Sequence, residues 1–141
     1  MTKKTTILHI SDIHIESDPD KKFDRTVVLE PLLERVREDY EKGLKPELVA
    51  VTGDIACKGI KEEYDLATLF FTDLLDAVEL GRDRIFIVPG NHDVNRKKYR
   101  PKDIPVYENM KELNLELENY RQDLFKGMGD YFDFVKKRIY I

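Results

Sequence analysis

Three short apolar runs constrain this chain more than any other feature. Each closes on a polar cluster, and a helical pattern separates each from the next. Residues 6–11 (TILHIS), 48–52 (LVAVT) and 85–89 (IFIVP) are rich in β-branched residues and lack strict polar alternation. Such runs read as strands buried on both faces, as in a parallel sheet. Between the first two, Leu32, Leu33, Val36 and Tyr40 fall on one face of a helix over residues 31–42, with Gly43 as its stop. Pro31 suits the opening of that helix and would kink it if the helix began near Asp24. Ile60, Tyr64, Ala67, Phe71, Leu74, Leu75 and Val78 form the stripe of a second helix over 60–80, stopped by Gly81. The order strand–helix–strand–helix–strand predicts right-handed parallel crossovers and an α/β layered fold.

The last third reads differently. Pro101 and Pro105 bracket a turn region. Val106, Met110, Leu113, Leu117, Tyr120 and Leu124 then recur at alternating steps of four and three, which predicts an amphipathic helix. Gly127 and Gly129 break it, and Tyr131, Phe134, Val135 and Arg138 suggest a shorter helix. Both stripes read as core packing. A fourth strand is expected nowhere, unless in the last few residues. Three strands make a small sheet, so the 141 residues read as the front part of a larger domain.

Composition closes off several alternatives. A hydrophobic share of 41% supports a core, and a formal net charge of −4 argues against a surface built for polyanions. No stretch approaches the roughly 18 apolar residues of a membrane span. The short apolar run after Lys3 and Lys4 is interrupted by His9, Ser11 and Asp12, so it does not read as a signal peptide. A single cysteine, Cys57, excludes an internal disulfide and a thiolate metal cage. A cytoplasmic location is expected.

The polar clusters carry the chemistry. The first run leads into Ser11-Asp12-Ile13-His14, the second into Thr52-Gly53-Asp54, and the third into Pro89-Gly90-Asn91-His92-Asp93. All three lie at the carboxyl ends of their strands, the edge where open α/β sheets bind ligands. Asp12 and His14, two apart, pair a carboxylate with an imidazole, a natural metal half-site. Asp54 adds a carboxylate able to bridge two ions, and Asn91 an amide oxygen. Gly53 and Gly90 let the backbone turn sharply and approach the site. Oxygen and imidazole donors without thiolate favour Mn, Fe or Zn over copper or an iron–sulfur centre.

Asp12-x-His14, Gly53-Asp54 and Gly90-Asn91-His92-Asp93 resemble the first three signature blocks of the calcineurin-like metallophosphoesterase superfamily. The flanking text (ILHISDIHIE, LVAVTGDIACKG, IFIVPGNHDV) is similar as well, over about residues 6 to 95. The resemblance implies an αββα sandwich and a centre of two divalent metal ions. It also implies hydrolysis of phosphomonoesters or phosphodiesters by a dinuclear-metal-activated hydroxide. Asp12 and His14 would hold the first metal, Asp54 would bridge, and Asn91 would bind the second. No other cofactor-binding residue is expected. His92 and Asp93 are the expected catalytic pair: His92 contacts the phosphate and assists the leaving group, and Asp93 orients a neighbour or caps the turn. The family's later blocks, an isolated His and a Gly-His-x-His, are absent, for no histidine follows His92. The chain is therefore expected to be a truncated, single metallophosphoesterase domain over 1–141. Its motif-bearing core is 1–95, and 96–141 is a helical insertion or cap-like segment. As a fragment it should bind metal weakly and turn over poorly.

A phosphoester substrate is the expected partner, with no membrane. Two rival readings share the fold: a non-catalytic scaffold, and a nuclease. Only the basic run Arg96, Lys97, Lys98, Arg100 and Lys102 favours nucleic acid. It reads better as a solvated loop, because Tyr99 alone supplies aromatic interleaving. His9 is expected as a satisfied core histidine, and Cys57 as a small packed residue.

Overall fold

The computed structural model describes residues 4–98 and 110–139. Strands β1 (Ile7–Ser11), β2 (Leu48–Thr52) and β3 (Ile85–Val88) form one parallel sheet in the order β1-β2-β3. Helix α1 (Lys22–Glu41) connects the first pair, and α2 (Lys61–Ala77) the second. Helices α3 (Met110–Gly127) and α4 (Gly129–Phe134) follow, and α4 runs on as a π-helical turn, Val135–Ile139. The α/β class, the parallel order and the three strands agree with the sequence reading. Helix α1 starts earlier than the 31–42 pattern and carries Pro31 in its interior, where the ring deletes one helical hydrogen bond.

Helices α1 and α2 pack on one another and cover one face of the sheet. That face presents Ile10, Val49, Val51 and Ile85, all buried, with Leu8 and Ile87 partly so. The opposite face carries Ile7, His9, Phe86 and Val88, all exposed. The expectation of strands buried on both faces is therefore corrected. Apolar content on both sides of a strand signals burial, but only one side is covered among the described residues.

Two further expectations change. Among the described side chains of the α3 stripe, Leu117 and Tyr120 are exposed and Leu124 packs against the core. The second stripe supplies core as expected through Tyr131 and Phe134, and Met128 and Ile139 join it. Phe134 stacks on Tyr64 at 5.1 Å between ring centroids and so seats α4 on α2. His9 lies on the open face, where its Nε2 is 2.7 Å from Thr52 Oγ1, so it is partnered but not in the core. The turn prolines, Tyr99, Val106, Arg100 and Lys102 fall outside the described residues.

Candidate metal centre

Beyond the strand ends the β1–β2 ladder continues through the loops. The amides of Asp12, His14 and Ile15 donate to the carbonyls of Gly53, Asp54 and Ile55, at 3.3, 2.9 and 2.8 Å. Ile15 and Ala56 close the run as a parallel bridge. Asp12, His14 and Asp54 all have positive φ, at 54°, 50° and 42°. A side chain in that left-handed region costs about 1–3 kcal/mol, and such strain gathers at functional sites. Three of the four ligands expected from sequence sit in this conformation.

Gly53 is left-handed too, at φ 83°. Gly90 answers a different need. A Cβ there would overlap the backbone nitrogen and Oδ1 of Asp54 and sit 2.7 Å from its Cγ. The two loops can meet only because position 90 has no side chain.

The contact brings three groups together. One ligand atom each from His14, Asp54 and His92 lies within 4.8 Å of the others. Asp54 Oδ2 is 4.0 Å from His14 Nε2, and its Oδ1 accepts the His92 amide at 2.8 Å. The His14 and His92 rings meet edge to face at 4.8 Å. All three residues are half-buried. Asp12 lies on the first loop beside His14 and Asn91 on the third beside His92, both exposed, and the Asp12 carboxylate is outside the three-residue group. The Asp54 carboxylate and His14 imidazole are donors that suit a divalent first-row ion, and the His92 ring stands beside them.

His92 Nδ1 lies 2.9 Å from the Cys57 carbonyl oxygen. A carbonyl can only accept, so the proton sits on Nδ1. Nε2 of the neutral ring then keeps a lone pair. The Cys57 thiol donates to the His14 carbonyl at 2.9 Å and its amide to Ile15 at 3.1 Å. Sequence reasoning had no signal for these contacts, because they run through the backbone.

Asp93 is fully buried. Its Oδ2 accepts the amides of Gly90 (2.8 Å) and Ile55 (3.2 Å), and its Oδ1 accepts the Ala56 amide (3.1 Å) and the Tyr64 hydroxyl (2.9 Å). The carboxylate thus ties the third loop to the second and faces no solvent. Burial, then the Asp93 charge beside it, holds the Tyr64 hydroxyl far above the ordinary tyrosine range, so it stays a donor.

A second polar group flanks the first. Lys58 Nζ binds the buried Glu16 Oε1 at 2.6 Å, and its amide donates to Glu63 Oε2 at 2.8 Å. Glu63 is fully buried and its Oε1 has no hydrogen-bond partner. Burial raises its pKa, against the pull of the Lys58 amide. Of the basic run, Arg96, Lys97 and Lys98 are described and exposed, and Lys98 pairs with Asp130 at 2.7 Å.

Residues 5–139 match the family described as calcineurin-like phosphoesterase. Two curated relatives are similar. "Uncharacterized metallophosphoesterase-like protein YydB" of Bacillus subtilis is 27% identical over 135 residues, 93% of this chain and 27% of the relative. "Probable glycerophosphodiester phosphodiesterase GpdQ" of Arcobacter nitrofigilis is 27% identical over 115 residues, 81% of this chain and 40% of the relative. The chain spans less than half the length of either.

Proposed function

The chain belongs to the calcineurin-like phosphoesterase family, and from that premise we propose that it forms part of a metal-dependent phosphoester hydrolase. Its substrates are phosphomonoesters or phosphodiesters, and the name of the Arcobacter relative tilts the choice to diesters. The observation that carries this reading is the meeting of His14, Asp54 and His92 on strand-end loops in which Asp12, His14 and Asp54 are held left-handed. Two divalent ions (Mn, Fe or Zn) would supply a nucleophile from water at neutral pH and brace the oxygens of an in-line displacement.

The chain's own residues have separate tasks. Asp12 and His14 would hold one ion, Asp54 would serve both, and Asn91 would offer its amide oxygen to the second. His92, with Nδ1 committed to Cys57, presents Nε2. Protonated there, it donates to the departing oxygen. Asp93 keeps the two loops in register. The open sheet face and the greater length of the relatives support a further part of a longer chain that completes the domain. One cysteine and no helix long and apolar enough to cross a membrane, among the described residues, suit a cytoplasmic setting.

The test uses that longer protein, loaded with Mn²⁺ and assayed on bis-p-nitrophenyl phosphate and p-nitrophenyl phosphate. His92→Ala should lower turnover by about 10²–10⁴ and leave metal content unchanged. Asp54→Ala should lose metal and turnover together. Metal loss in His92→Ala would make His92 a ligand, and full metal content in Asp54→Ala would end the bridging assignment.

A further inference from the structure

We propose that Tyr64, a core residue by its sequence pattern, is a positioning residue for the metal centre, acting through Asp93. The proposal rests on the phosphoesterase reading above. Tyr64 belongs to the buried stripe of α2, beside Phe70 and Phe71. A phenylalanine would fill that space equally well, so the hydroxyl calls for its own explanation. Both polar atoms it meets are on Asp93: Oδ1 at 2.9 Å and the carbonyl oxygen at 3.3 Å.

The ring itself is held on its other side. Phe134 stacks on it at 5.1 Å with 21° between planes, and Tyr131 meets it edge to face at 6.2 Å. The aromatic contacts set the height of the hydroxyl, and the hydroxyl sets the Asp93 carboxylate. That carboxylate holds the amide after Asp54, at Ile55, and the amide before Asn91, at Gly90. Helix α2 and the C-terminal α4 thereby register the second and third of the loops, which carry Asp54 and Asn91. Without the hydroxyl, Asp93 keeps only backbone donors, and its rotation about χ2 is no longer opposed from the core side. Outer partners of this kind orient ligands without touching the ion.

The experiment compares Tyr64→Phe with Phe71→Leu, which disturbs the same buried stripe and its Phe134 contact but leaves the Tyr64 hydroxyl in place. Amide exchange is measured first on the ¹⁵N-labelled, metal-free chain. Tyr64→Phe should speed exchange at Ile55, Ala56 and Gly90 by about tenfold relative to Val49 and Val51, as expected when a local opening becomes easier. Mn²⁺ affinity of the longer protein, followed by the paramagnetic resonance of the free ion, should weaken by about tenfold in Tyr64→Phe, the usual effect of losing an outer partner. Phe71→Leu should lower the thermal midpoint yet keep wild-type Mn²⁺ affinity. Unchanged exchange at the three amides overturns the Tyr64 link, and so does an equal loss of affinity in both variants. Failure of the longer protein to take up Mn²⁺ overturns the metal reading instead, and the exchange result on the chain still judges the link from Tyr64 to the loops.

Discussion

The strand-end loops and the open face of the sheet are built on opposite rules. The loops are polar, backbone-strained and cross-tied, with Asp93 joining four donors and Gly90 leaving room for Asp54. The open face is apolar and regular, with Ile7, Phe86 and Val88 in ordinary strand positions and nothing described above them. The strained residues Asp12, His14 and Asp54 persist because the network around them over-determines their backbone. The open face needs no such support, and it contributes little until something covers it. Stability and function thus rest on different chemistry within one small sheet.

The largest expected effect breaks the network. In Asp93→Asn one oxygen must serve donors that two now share, at about 1–3 kcal/mol for each amide left unpaired in the interior. Urea unfolding should show that loss, and Mn²⁺ uptake should fall with it. Retention of both would remove Asp93 from the centre of the design.

Next comes a pair of identical substitutions on the two faces. Ile85 is fully buried and Ile7 is 54% exposed. Ile85→Ala should cost about 2–5 kcal/mol. Ile7→Ala in the isolated chain should stay within about 0.5 kcal/mol. If a further segment of the longer protein covers this face, as proposed, Ile7→Ala should there become as costly as a core truncation. Equal, small costs in both settings would mean that the face stays bare.

A smaller effect tests the buried acid beside the loops. The pKa of Glu63 is raised by burial. The stability linked to its protonation is therefore present below its ordinary value near 4.5 and is lost as pH rises through the raised value. Glutamine does not titrate. The stability advantage of Glu63→Gln over wild type should grow with pH from about 4.5 upward and then level off. A pH-independent difference in thermal midpoint would contradict it.

Much of the site was readable because its signals are local. Asp12, His14, Asp54, Asn91 and His92 follow strand-forming runs directly, and a parallel sheet aligns carboxyl ends whatever the packing details. Gly90 was expected to permit a close approach, and the Asp54 contact is that approach. The misses were all questions of what lies across from a residue. Tyr64 fell in an apolar stripe, and its one readable clue was a hydroxyl where Phe70 and Phe71 have none, since a buried hydroxyl usually finds a partner. The Cys57 carbonyl and thiol, and the buried Glu63, left no pattern at all.

By itself, then, the sequence determined the element order, the parallel sheet and the edge where chemistry-bearing residues gather. Periodicity and strand-end composition act over a few residues and need no partner to be legible. Tertiary structure alone decided which sheet face was covered among the described residues, that Leu117 and Tyr120 stayed exposed, and that Asp93 turned inward to hold loops. Those outcomes depend on contacts between residues such as Tyr64 and Asp93, or Ile55 and Asp93, which are far apart in the chain and meet only after the helices have packed.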